Sequence, residues 1–171
     1  MARNVDIMLD QDVAVAQWVY DRIGGVPDRV GTFVAHGYVD KDTGKLVAGM
    51  CYENFMGEGM SSEISIAADE QCGWFDDQTR FEASYMAFEV QKVNILRCKI
   101  AETNTACISI CERYGFHLKH RIEKAHPEGD LLIYEMTKED AQQHLDKFQP
   151  EWFGLEEGQH YSDIEKQEEA A

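Results

Sequence analysis

NTACISICERYGF, residues 104–116, reads as a short helix carrying its own start and stop signals. Asn104 suits the N-cap, because its side-chain oxygen can accept from an orphan amide of the first turn. Gly115 ends the run, being the residue that enters a left-handed C-terminal turn without steric cost. Between them Cys107, Ile110, Cys111 and Tyr114 recur at i, i+3, i+4 and i+7 and form one stripe. Two thiols one turn apart on that stripe admit two readings. Free cysteines pack as small hydrophobes on a buried face. A thiol of ordinary pKa, about 8.5, can also give a proton to a base of similar strength.

Working outward, NILRCKIAE before this helix alternates as a half-buried strand, and FHLKHRIEKAHPEGDLLIYEM after it is a hairpin turning at His126 to Asp130. His117 and His120 differ in parity along that strand, which places them on opposite faces and denies them a joint metal site. Thr137 caps a last helix over 138–148. Upstream, SSEISIAAD is a strand, EQCGWF a loop, and 76–93 a long helix with Phe81, Tyr85 and Phe88 on one stripe. Asp76 and Asp77 stand at its N-terminal end, where the helix dipole favours anions. Thr32 to Val39 and Leu46 to Phe55 form an earlier hairpin, with His36 on its first strand facing either the core or a groove. The first helix lies in DQDVAVAQWVYDRIGG, with Asp10 or Asp12 as cap, Val13, Ala16, Tyr20 and Ile23 inward, and Gly24 with Gly25 as stop. A strand in ARNVDIML is weakened by Asn4 and Asp6. This alternation predicts a mixed α/β (α+β) fold, a central sheet with helices on both faces.

At 171 residues the chain is expected to be one domain over 1–149 followed by an acidic tail over 150–171. The tail holds seven acidic residues against Lys166 and is expected to be exposed, although Trp152, Phe153, Leu155 and Tyr161 could dock on the domain or on a partner. A formal charge of −16 repels nucleic acid and attracts cations. No apolar run is long enough for a membrane span, and the opening stretch lacks the apolar middle of a secretory signal, so a cytoplasmic protein is expected. Five cysteines without a C-x-x-C pair argue against a disulfide framework and against zinc.

The helix at 104–116 resembles that of the GNAT superfamily of acetyl-coenzyme A-dependent N-acetyltransferases, N-x-x-A/S-x-x-L-Y-E-K-x-G-F. Asn104, Cys107, Ile110, Cys111, Glu112, Arg113, Gly115 and Phe116 fall on its positions, and Tyr134 with Met136 on the later Y-x-M. The resemblance covers about residues 60–137 and implies a central mixed, mostly antiparallel sheet that takes acetyl-CoA as co-substrate. In the family the helix Tyr, or a Ser one turn earlier, is proposed to protonate the leaving thiolate; here Cys111 and Cys107 take those positions. Glu63 sits where some members carry a general base acting through water, and a solvent-facing strand residue is the alternative. An ammonium of pKa about 10.4 must lose a proton before it attacks a thioester. The family's Q/R-x-x-G-x-G/A pyrophosphate loop is replaced by EQCGWFDDQTR, whose only glycine is Gly73. The resemblance assigns cofactor contacts to Ala67, Ala68, Gly73, Trp74, Arg80 and Asn104, with Arg80 offsetting phosphate charge and Trp74 packing on the coenzyme.

Two functions follow. The first is direct acetyl transfer to a primary amine, on a small molecule or a protein, cationic if the acidic surface steers it. The second is a catalytically silent acidic binding or inhibitor protein of the same shape; compact, loop-poor members of this kind resemble phage-encoded ones. Strands beyond the last helix pair between subunits in some members, which leaves a homodimer open, while so acidic a tail repels its own copy.

Overall fold

The computed structural model describes residues 4–24, 33–69 and 73–163. Gly25, Thr32, Cys72 and Lys166, invoked above, lie outside them. The elements in chain order are β1 (Val5–Met8), α1 (Asp12–Ile23), β2 (Val34–Asp40), β3 (Leu46–Glu53), β4 (Ser61–Ala68), α2 (Asp77–Tyr85), β5 (Ile95–Ala101), α3 (Thr105–Tyr114), β6 (His117–His126), β7 (Gly129–Thr137) and α4 (Lys138–Leu145). One seven-stranded sheet runs β1-β2-β3-β4-β5-β7-β6. Every neighbouring pair is antiparallel except β4 with β5.

Among the described residues helix α1 alone covers one face, where Val15, Ala16 and Val19 bury against Ala35, Cys51 and Ala67. Its inward stripe is rotated from the expected one: Val13 is 75% exposed and Ile23 47%. Two glycines in the sheet set that rotation. A Cβ on Gly49 would lie 2.9 Å from Val19 and 3.0 Å from Val15, and a Cβ on Gly37 3.2 Å from Val15, so these valines sit in notches that only glycine leaves open. Asp12 does not cap α1; its carboxylate accepts from the Ala35 amide at 2.6 Å and ties the helix to β2. Gln11 takes the cap position without a side-chain bond.

The opposite face holds the larger core, with Tyr38, Met50 and Tyr52 from the hairpin, Leu96 and Tyr134 from the centre, and Ala83, Cys111 and Ala141 from α2, α3 and α4. Asp76 caps α2, accepting from Thr79 N at 2.8 Å, and the helix ends in a π-helical turn over Met86–Val90 rather than continuing to 93. Phe81 and Phe88 are buried as expected, whereas Tyr85 is half-buried. Thr137 and Asp140 complete a reciprocal cap on α4.

Two expectations fail for identifiable reasons. His117 stands opposite Glu135 and His120 opposite Ile133, both on one face of β7, because the strand bulges between Leu118 and His120 and absorbs a residue. The segment from Pro150 does not stand off into solvent: Trp152, Phe153 and Tyr161 gather round Phe81 with centroids 5.5–6.0 Å away, and Leu155 is 7% exposed. Apolar area removed from water explains the docking, since four large side chains outweigh the repulsion among screened surface carboxylates. No helix among the described residues is long and apolar enough to cross a membrane.

Candidate active site

Strands β4 and β5 pair only at their beginnings, Ser61 to Glu63 against Ile95 to Arg97. Beyond that point β4 stays with β3 as far as Ala68, and β5 stays with β7 as far as Ala101. The sheet therefore splits from Ile64 onward. A cleft of about 630 Å³ occupies the split, floored by Ile64, Ser65 and Ile66 on one side and by Cys98 to Ala101 on the other. Asn104, Cys107 and Cys111 reach it from α3, Tyr20, Arg22 and Ile23 from α1.

The alternation of the strands sorts this lining into two faces. Cys98, Ile64 and Cys111 belong to the core beneath α2, α3 and α4. Glu63 and Ser65 have the parity of Ala67, which packs on the α1 side. Ladder pairing puts Glu53 opposite Glu63 and Cys51 opposite Ser65, hence on the α1 side too. The cleft passes through the sheet, with thiols at one mouth and carboxylates at the other.

On the thiol side Asn104 caps α3, its Oδ1 accepting from Cys107 N at 3.1 Å. The sulfurs of Cys98 and Cys111 are 3.6 Å apart. The hydrogen bond with Cys111, then burial, pushes the Cys107 thiol far above its usual range. For Cys111 the bond with Cys107 pulls down, but the bond with Cys98 together with burial wins and pushes it up. Both groups are neutral thiols near pH 7, so neither is primed for nucleophilic attack, and each holds its proton more tightly than a thiol of ordinary pKa. Tyr114 turns into the core with the stripe it shares with Cys111, its OH donating to Arg80 O at 2.7 Å, and burial raises its pKa.

On the carboxylate side Glu63 is bridged by Lys99 Nζ at 2.8 Å and receives Asn54 Nδ2 at 3.0 Å. Glu53 accepts from the Tyr20 hydroxyl and, at 2.8 Å, from Ser65 Oγ. Burial and that carboxylate push the Tyr20 hydroxyl up, so Tyr20 keeps its proton as a donor. Tyr20, Glu53 and Ser65 escaped the sequence reading. A signal was present in β4, where Glu63 and Ser65 alternate with Ile64 and Ile66 in a strand that is central to the sheet.

Of the residues singled out in the sequence, Glu63, Asn104, Cys107 and Cys111 come together in the cleft. Ala67, Ala68, Gly73, Trp74 and Arg80 do not line it. Trp74 is a core residue, 7% exposed and packed on Tyr38 and Phe75, so its ring has no face left for a coenzyme. Ala67 packs under α1, Ala68 is exposed at the end of β4, and Gly73 holds a left-handed φ of +61° next to the undescribed residues 70–72. Arg80 is paired with Asp77 through Nη2. Asp77 also receives Lys147 at 2.9 Å, and these cations hold its carboxyl below the usual range. The two acids at the start of α2 are thus consumed, one as a cap and one in ion pairs. His36 is buried against Tyr38 and does not face the groove. Among the described residues no group of three or more His, Cys, Asp or Glu could hold a metal.

The architecture is similar to that of solved structures. A mutant form of the spermidine/spermine N-acetyltransferase of Vibrio cholerae superposes with a TM-score of 0.64 at 10% identity, over 81% of this chain and 98% of that one. The chain has the GNAT fold. The ribosomal-protein-S5-alanine acetyltransferase of Vibrio fischeri gives 0.60 at 13% identity, over 80% and 93% of the two chains. A GNAT-family acetyltransferase from Bacillus anthracis gives 0.52 at 17%, over 61% and 66%. No family model and no curated protein sequence matches the chain. At these identities the GNAT likeness is one of fold, and the chemistry rests on the cleft.

Proposed function

We propose that the chain is an N-acetyltransferase that moves an acetyl group from acetyl-CoA to a primary amine by direct attack in a ternary complex. The observation that carries this reading is the split between β4 and β5, which opens the sheet to both faces and puts neutral thiols and carboxylates at opposite mouths. Among the described residues the β4 edge has no strand partner on the β5 side from Ile64, which leaves it open to the amides of a pantetheine arm, as extended ligands pair with sheet edges. Acetyl-CoA supplies an activated acyl group and a thiolate leaving group. Cys111 or a water returns a proton to that sulfur, and the acceptor enters from the α1 side. The charge of −16 favours cationic acceptors.

Calorimetric titration with acetyl-CoA tests the reading, alongside Asn104→Ala and Cys111→Ala. Micromolar binding, with Cys111→Ala binding normally but turning over more slowly, supports it. The competing reading, an acidic binding protein that has lost coenzyme affinity, is favoured by the loop EQCGWFDDQTR, which lacks the glycines of a phosphate cradle. Absence of binding at millimolar acetyl-CoA would establish that alternative.

A further inference from the structure

Glu53 is 7% exposed yet lines the cleft. Both donors that reach it, Tyr20 Oη and Ser65 Oγ, fall on Oε1. Among the described residues no donor reaches Oε2, and no Lys, Arg or His pairs with this carboxylate. The nearby cations are committed elsewhere. Arg22 bridges to Asp69 at 3.1 Å and stacks over Trp18, and Lys99 bridges to Glu63. His126, also in the lining, accepts from the Glu128 amide through Nδ1. A carboxylate removed from water is retained where a cation meets it, and here the chain provides hydroxyls on one oxygen and an open lobe on the other. Glu63, its cross-strand neighbour, already has its cation.

We propose that Glu53, held by Tyr20 and Ser65, is the acceptor-ammonium site of the cleft and takes the proton that the amine must lose. The proposal rests on the acetyl-transfer reading for its chemistry, though not for its binding geometry. In the step, the R–NH3+ proton passes to Glu53 Oε2, directly or through one water, and the freed nitrogen forms a bond to the thioester carbonyl carbon. The C–S bond breaks and its electron pair leaves on sulfur. The second nitrogen proton balances the one that Cys111 gives to the thiolate, and Glu53 releases its own to solvent. The net products are amide, free thiol and H+. Lys99 leaves Glu63 electrostatically satisfied, which makes the two glutamates, side by side on one face, unequal in function. A ligand with a primary ammonium on a slender arm fits this mouth; an acidic or uncharged acceptor does not.

The test titrates phenethylamine and its uncharged counterpart 2-phenylethanol into the wild-type chain, Glu53→Gln and Tyr20→Phe by NMR, with acetyl-CoA titrated into each by calorimetry. The wild type is expected to prefer the ammonium by about tenfold or more, the size of one charge-assisted contact. Glu53→Gln should abolish that preference while keeping acetyl-CoA affinity, and Tyr20→Phe should weaken it. Wild-type ammonium binding and acetylation rate in Glu53→Gln would overturn the proposal and leave acetyl transfer standing. If no variant binds acetyl-CoA but the Glu53-dependent preference persists, the ammonium site stands and acetyl transfer falls. Should Glu53→Gln lose its fold, Glu53→Asp, which retracts the carboxylate by one methylene, decides on the same readout.

Discussion

Gly49→Ala probes the contact that seats α1 over the cleft. The added methyl would lie 2.9 Å from Val19 Cγ2, 3.0 Å from Val15 Cγ1 and 3.6 Å from the Trp18 ring. Carbon atoms rest at about 3.5–4.0 Å, so both valines must retreat by roughly 0.5–1 Å. They cannot do so by rotating, since a helical valine has one strongly preferred χ1. The helix must lift, and overpacking of this kind costs about 1–3 kcal/mol, offset by roughly 0.4–1 kcal/mol from the reduced freedom of the unfolded chain. For a chain of this length each kcal/mol moves Tm by about 2–4 °C, so thermal unfolding should fall by a few degrees. Lifting α1 also withdraws Tyr20 from Glu53, so ammonium binding should weaken alongside stability. Val19→Ala reopens the space, and the double variant should be more stable than the sum of the single effects predicts. A Gly49→Ala protein with wild-type Tm, or strictly additive effects with Val19→Ala, would refute the notch as the determinant of the α1 seat.

Three further outcomes follow from packing and titration. Burial pushes the Cys51 thiol up to about 12, and Cys107 and Cys111 are raised as well, so stability is fully present below the unfolded thiol pKa near 9.0 and should fall as pH rises from about 9 toward 12; urea midpoints that stay level from pH 8 to 10.5 would contradict this. Burial lowers the His144 pKa, and its Nε2 donates to Tyr114 O at 2.6 Å, so it resists the proton that the unfolded chain accepts below about 6.5; stability should decline as pH drops through that value, and His144→Gln should flatten this part of the profile. Phe81→Ala removes the ring on which Trp152, Phe153 and Tyr161 converge, at a cost of about 3–5 kcal/mol, and hydrogen exchange over 150–163 should accelerate more than that of β5.

The elements that sequence pattern located best are those whose signals are local. Asn104 and Gly115 bracket α3, and the cap at Thr137 with Asp140 starts α4, because caps are decided within four residues. What failed was decided elsewhere in the chain. The inward face of α1 depends on Gly37 and Gly49, which are remote in sequence, and periodicity alone cannot favour Val15 over Val13. A one-residue bulge near Lys119 reverses the facing of His120 without a glycine or proline to mark it. Trp74 and Arg80 were assigned by position in a motif, but the core beside Tyr38 and the carboxylate of Asp77 claim them first. Glu53 was invisible for a different reason: its proposed role rests on hairpin register and on the lack of a cation partner among the described residues, neither of which a strand pattern displays.

The two halves of the candidate site depend on one topological fact. A parallel pairing of β4 with β5 that continued past Glu63 would bury Ser65 and Lys99 against each other and leave no passage. Because it stops there, the residues before the split serve as its hinge, with Glu63 fixed by Lys99, and those after it are exposed to both faces. The sheet can then present proton donors to a leaving sulfur from beneath and a proton acceptor to an arriving amine from above. In an acyl transfer the attacking nitrogen loses a proton and the leaving sulfur gains one, and in this cleft the two kinds of candidate group stand on opposite faces of the sheet. On the proposed mechanism, separation across the sheet holds Cys111 and Glu53 apart until a substrate connects them. This is why the position of the split, more than the identity of any one residue at its rim, limits where chemistry can occur in this chain.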